Sequence, residues 1–246
     1  MADLRQFSEA IAKYEEARAI FLELRDGAKA ANCLANKGIA LKNGRHLEWA
    51  RRSLEDALEE FRLCNHKFGE GQVLGNLGNV CSALGDHELA VEMHRRSLQL
   101  SRELHDERGE AADLANLGAA LIAAGLPWDE AVMLLSEAVR RFDRLGITRA
   151  AATTIYDLGV AFETSGNLVR AIECYSGAAE RWAALGDRQG EARARRCLSE
   201  VLKKHGEADE AIAQLRRVTE GYGEFDSEAA AALRFRAAQW TDKLGR

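Results

Sequence analysis

A spacing of forty residues governs this chain. A small residue recurs as Ala10, Ala50, Ala90, Ala131, Ala171 and Ala211, at intervals of 40, 40, 41, 40 and 40. A second series, Gly38, Gly78, Gly118, Gly159 and then Ser199, steps by 40, 40, 41 and 40. The extra residue falls at the same place in both series, the Leu126-Pro127-Trp128 turn. Two series sharing one insertion define an internal repeat. A repeat of this length is one supersecondary unit, which must stack on its neighbours to bury its apolar face.

The stretch from Gln72 to Gly109 shows the unit most clearly. Its first half, helix A, carries Leu74, Leu77 and Cys81 at i, i+3 and i+7, the spacing of one helical face. Helix A ends near a glycine (Gly85, Gly125, Gly166 or Gly206), the usual residue just past a helix C-terminus. Helix B follows an acidic or proline-marked turn and places Ala90, His94, Ser97 and Leu98 on its inner face. Pro127 followed by Asp129 and Glu130 is a helix start, because proline costs little at the first position and carboxylates suit the N-terminal dipole. A glycine inside a helix costs about 1 kcal/mol relative to alanine. Its return at one register predicts close helix crossing, with helix A approaching the small residue of the following helix B.

The chain reads as all-α, since it holds one proline and no alternating β-branched runs. Asp3 to Leu24 reads as a helix B without its helix A. Five A/B pairs follow near residues 27–64, 69–104, 107–145, 147–185 and 188–222. A last helix, 227–244, carries Leu233, Ala237, Trp240 and Leu244 and is expected to cap the array. Nothing interrupts the run, so a single domain over 1–246 is expected. The predicted architecture is a right-handed α-solenoid of about twelve antiparallel helices.

The order Leu74, Leu77, Gly78, Cys81, Ala90, His94, Ser97 resembles the large–large–Gly–large–Ala–large–small spacing of tetratricopeptide repeats. The forty-residue period, with Asn76-Leu77-Gly78-Asn79 and Leu84-Gly85-Asp86, is similar to the Leu-Gly-Asn repeats of spindle-orientation adaptors and to kinesin light chains. It also resembles the sensor arrays of bacterial signalling ATPases. The resemblance implies a protein-interaction scaffold without catalysis. Lys37, Arg195 and Ser199 depart from the pattern, and repeat five departs most.

In stacked helix pairs the A helices form the inner wall. Side chains beside the packing stripe then face a peptide or helix of a partner protein: Asn32, Asn36, Gln72, Asn76, Asn79 and Asn116 in the first three repeats, Tyr156 and Asp157 in the fourth, Arg193 and Arg196 in the fifth. Asn36, Asn76, Asn116 and Asp157 share one register. An amide offers donors and an acceptor, so such a ladder can hold the backbone of an extended peptide whatever its sequence. Tyr156 is expected to be a rigid anchor, and Arg193 with Arg196 to favour acidic groups on the partner. The lysine and asparagine clamp that holds chaperone tails in related repeats is missing, because its first register reads Ala35, Gly75, Ala115, Tyr156 and Arg196.

A net charge of -5 gives no support to general nucleic-acid binding. The five cysteines have no metal-ligand spacing, and His87-Glu88 lacks a second histidine at the zincin distance, so no metal, cofactor or catalytic centre is expected. His94, Cys81 and Cys174 read as core residues. Trp49, Trp128 and Trp182 read as packing over neighbouring repeats. The N-terminus has no signal region, the longest apolar stretch is too short to span a bilayer, and a cytoplasmic location is expected. Two rival readings accompany the adaptor: a regulatory sensor segment of a larger signalling protein, and a homo-oligomeric scaffold joined through its terminal helices.

Overall fold

The computed structural model describes residues 2–221, with side chains from residue 8 to residue 217. The expected capping helix at 227–244 lies outside the described residues. These hold eleven helices: α1 (Ala2–Glu23), α2 (Gly27–Asn43), α3 (Leu47–Leu63), α4 (Lys67–Leu84), α5 (His87–Glu103), α6 (Glu107–Ala123), α7 (Trp128–Arg144), α8 (Thr148–Thr164), α9 (Leu168–Ala184), α10 (Arg188–His205) and α11 (Ala208–Gly221).

The chain divides into two compact units, Met1–Pro127 and Trp128–Arg246. The boundary falls on the turn that carries the extra residue. Within the first unit each helix from α1 to α6 packs on the next, and the A helices α2, α4 and α6 touch in succession. Within the second unit α7 to α11 pack in the same serial way, and α8 touches α10.

The forty-residue period is built from two twenty-residue halves, each a helix and the same tight turn. The turn places one residue in the left-handed region at Arg25, Arg45, Asn65, Gly85, His105, Gly125, Gly146, Gly166, Gly186 and Gly206. The next residue's N–H bonds back across the turn, as His46 does to the Leu41 carbonyl at 2.9 Å and Asp86 to Cys81 at 2.9 Å. This six-to-one bond satisfies a carbonyl that the helix end leaves open. Glycine takes the left-handed position without steric cost; the four other residues bear it. The residue after the turn often caps the next helix. Asp26, His66, Asp106, Asn167 and Asp187 each accept the N–H three residues on, at 2.9–3.2 Å. Each such cap contributes about 1 kcal/mol.

The core follows the repeat. Ala50, Ala90, Ala131, Ala171 and Ala211 are wholly buried, and Leu74, Leu77, Leu114, Leu117 and Leu121 form the A-helix stripes. The glycine register faces a different group from the one its spacing suggested. A Cβ on Gly78 would lie 2.6 Å from His94 Cε1, one on Gly38 2.7 Å from Leu54 Cγ, and one on Gly159 2.6 Å from Tyr175 Cε1. The glycines admit the large inner residue of helix B first, and at Gly38 the expected alanine is also close, its Ala50 carbonyl oxygen 3.3 Å from such a Cβ.

His94 is 1% exposed, and burial pulls its pKa down to about 4. Lys37 and Arg195, odd in an apolar register, are offset by partners: Lys37 Nζ lies 2.6 Å from Glu15, while Arg195 binds Glu191 at 2.8 Å and Gln214 at 2.7 Å. Of the tryptophans, Trp182 is buried, but Trp49 is 64% exposed and Trp128 is also exposed. Both stand at the first turn of their helices.

Candidate functional site

In the first unit the touching A helices α2, α4 and α6 open a groove of about 650 Å³. Asn32, Asn36, Gln72, Asn76, Asn79 and Asn116 all line it. The three asparagines of the ladder therefore face one space, as helices in the same register require. Asn76 donates one amide N–H to the Gln72 carbonyl at 2.9 Å, and Asn32 does the same to Ala28 at 3.0 Å. Such a bond fixes the amide's direction and leaves a second N–H and the carbonyl oxygen for a ligand.

The same groove holds polar groups that position-by-position reading passed over. Asp113 is only 6% exposed. The Ser101 hydroxyl donates to its Oδ2 at 2.7 Å, and the Ser97 hydroxyl lies 2.8 Å from Oδ1 and 2.9 Å from the Gly71 carbonyl oxygen. Burial pushes the Asp113 carboxyl above its ordinary range, against the two hydroxyls that hold it down. Asp106 and Arg108 stand at the same wall. The signal that could have found Asp113 is its register, where the other repeats read Cys33, Val73, Thr154 and Ala194.

The second unit places its expected residues differently. Tyr156 is half-buried in an aromatic cluster, its ring 5.3 Å from Tyr175 and 5.9 Å from Trp182, and its hydroxyl is 3.3 Å from Cys197 Sγ. The Arg193 guanidinium covers it, 4.4 Å from the Tyr156 centroid and 5.3 Å from that of Trp182. Stacking of this kind orients the cation and leaves its N–H edge outward. Arg193 and Arg196 are both exposed. Burial raises the Asp157 carboxyl to about 6, opposed by the charge of Arg193. Beside this cluster Tyr175 donates to Glu163 at 2.9 Å, and Lys204 reaches the same carboxylate at 2.6 Å. Among the described residues no group of three or more His, Cys, Asp or Glu side chains is placed to hold a metal ion, and no helix is long and apolar enough to cross a membrane.

Residues 69–143 match the family described as tetratricopeptide repeat. These residues carry the tetratricopeptide-repeat pattern. The rest of the chain shares their fold, as solved structures of low identity show. BtubC (BKLC) from P. vanneervenii is 18% identical, with a TM-score of 0.78 over 93% of this chain and 95% of that one. A Signal Transduction ATPase with Numerous Domains from Pyrococcus horikoshii, carrying a tetratricopeptide repeat sensor, is 17% identical with a TM-score of 0.79. It covers 99% of this chain, which spans 37% of that protein. A Rap protein complexed with Competence and Sporulation Factor is 18% identical, with a TM-score of 0.67 over 99% of this chain and 72% of that one. No curated protein sequence matches the chain. Tetratricopeptide repeats are in general modules of protein–protein interaction.

Proposed function

We propose that this chain is a non-catalytic adaptor that holds an extended segment of a partner protein along its A helices. One observation carries the reading: six amide side chains from α2, α4 and α6 line a single groove. Amides in a row match the alternating N–H and C=O of an extended backbone, so affinity need not depend on the ligand's sequence. The Rap protein whose fold this chain shares is complexed with Competence and Sporulation Factor, and another Rap regulator of similar fold is in complex with the Phr* peptide. The exposed Arg193 and Arg196 of the second unit would favour acidic groups on a partner.

The test is selection of random peptides displayed on phage against the full chain, followed by rebinding to Asn76→Ala with Asn116→Ala. Selected clones should bind the wild type and lose at least about tenfold in affinity on the double variant, the loss expected for two hydrogen bonds of ordinary strength. Equal binding to both proteins would remove the ladder from the reading. A second reading, a sensor segment of a larger signalling protein, is favoured by the 99% coverage of this chain within the Pyrococcus horikoshii ATPase. Detection of a longer native polypeptide carrying this segment would select it.

A further inference from the structure

Where helix B of the second repeat meets helix A of the third, the chain departs from its own pattern at three registers that converge in space. At the end of helix B the chain reads Phe21, Phe61, Phe142 and Trp182, but Ser101 in repeat two. One turn earlier it reads Ala17, Ala57, Ala138 and Ala178, but Ser97. On the facing A helix it has Asp113 where others have Cys33, Val73, Thr154 and Ala194. Elsewhere the aromatic plugs the hairpin: a Cβ on Gly190 would strike the Trp182 ring at 2.6 Å, and one on Gly69 would strike the Phe61 ring. At Gly109, the equivalent position, the neighbours are the Asp106 carboxylate and the Ser101 hydroxyl. A packed aromatic has been exchanged for a polar recess whose floor is a carboxylate, and that recess opens on the asparagine-lined groove.

Burying a carboxylate is expensive, and replacing such a group by a well-packed apolar one is often stabilising. Three concerted replacements toward the costly state point to a ligand. We infer that this recess receives the side-chain ammonium of a lysine in the partner segment, with Asp113 as its counter-ion and the Ser97 and Ser101 oxygens as further acceptors. The inference rests on the peptide-groove reading above and names the side chain that the groove selects. The chemistry fits in three ways. The walls beside the carboxylate are small, since a Cβ added at Gly75 would sit 3.6 Å from Asp113 Oδ1 and 3.5 Å from Ser97 Oγ, in space that the glycine leaves open. A slim stem ending in a compact point charge enters such a space more readily than a planar guanidinium. The opposite charges of Asp106 and Arg108 on the same wall offset each other, so Asp113 sets the net charge of the recess. An ammonium also has three donors to share among the carboxylate and two hydroxyl oxygens.

The experiment uses short peptide pools, acetylated and amidated at their ends, that are random except for one central position fixed as lysine, norleucine, arginine or glutamate. Each pool is passed over the immobilised full chain, and retained peptide is measured by mass spectrometry. The lysine pool should be retained about tenfold over norleucine, which has the same stem without the charge. Asp113→Asn should bring the ratio to about one. The triple variant Ser97→Ala, Ser101→Phe, Asp113→Val restores the pattern of the other repeats. It should melt at or above the wild-type temperature and also lose the lysine preference, an outcome that a purely structural network would not give. Equal retention of lysine and norleucine, a preference for arginine, or a lysine preference that survives in the triple variant would each overturn the inference while leaving the groove reading in place. Retention of no pool at all would overturn both.

Discussion

Gly78 and Gly75 lie three residues apart on α4, and the same substitution should have opposite effects at the two positions. At Gly78 a Cβ would lie 2.6 Å from His94 Cε1 and 2.7 Å from Nε2, far inside ordinary contact. His94 is buried, so overpacking costs about 1–3 kcal/mol. Alanine's better helix propensity returns about 1 kcal/mol, leaving Gly78→Ala destabilised by up to about 2 kcal/mol. At Gly75 the nearest atoms would be 3.5 and 3.6 Å away, an ordinary contact. Only the propensity gain remains there, so Gly75→Ala is stabilised by up to about 1 kcal/mol. A gap of about 2 kcal/mol corresponds to roughly 4–8 °C in melting temperature for a chain of this size. Thermal unfolding followed by circular dichroism measures it. Trimming His94 should rescue the clash: in a His94→Ala background, Gly78→Ala should become neutral or favourable, a coupling of about 1 kcal/mol or more. Shifts of the same sign at Gly75 and Gly78, or strict additivity with His94→Ala, would refute the close-crossing argument.

Three further predictions address the turns and the titrating groups. Arg45 occupies the left-handed turn register with φ 63°, so Arg45→Gly should stabilise the chain by about 1 kcal/mol in urea unfolding; destabilisation would mean that the turn does not carry that strain. His94 takes up its proton near 4 when folded and near 6.5 when unfolded. Its contribution is therefore complete above about pH 6.5 and declines by about 3 kcal/mol as pH falls to about 4. His94→Leu, the residue found at Leu54 and Leu135 of the same register, should remove that part of the slope from stability measured across this range; an unchanged slope would assign it elsewhere. Asp157 should titrate near 6 by carbon-13 NMR, and Arg193→Met should move it higher by removing the opposing charge; a downward move would contradict the pairing.

The fold was legible because its information is periodic. Ala50, Ala90 and Ala131 are buried for the same reason in each copy, so composition and spacing together reveal helices, turns and packing faces. What lay opposite each glycine was less legible. Spacing along α4 fixes the face of Gly78 but not the atom across from it, and His94 rather than Ala90 meets it. Trp49 stayed exposed because a residue at a helix start packs only where a neighbouring element overlies it. In the candidate site, the amide register of Asn36, Asn76 and Asn116 could be read directly, since equivalent positions on touching A helices share a face. Asp113 could not be read alone. Its burial is set by Ser97 and Ser101 on the preceding helix, and within an apolar run a single aspartate looks like a solvated interruption. Only comparison of one register across repeats shows that Ser101 stands where Phe61, Phe142 and Trp182 plug the hairpin. Tyr156 illustrates the converse: its register marks it as facing a partner, but Arg193 from the next A helix lies over the ring, so the cation is the group presented.

The central claim, that the asparagine ladder of the first unit grips a partner's backbone, is tested most directly by the side-chain amide resonances of Asn36, Asn76 and Asn116. These are followed by nitrogen-edited NMR as a phage-selected peptide is added. All three should shift and become protected from solvent exchange at saturation, with the same protection for peptides of unrelated sequence. Saturated binding with these amides unmoved, and with shifts confined to α3 and α5, would contradict it.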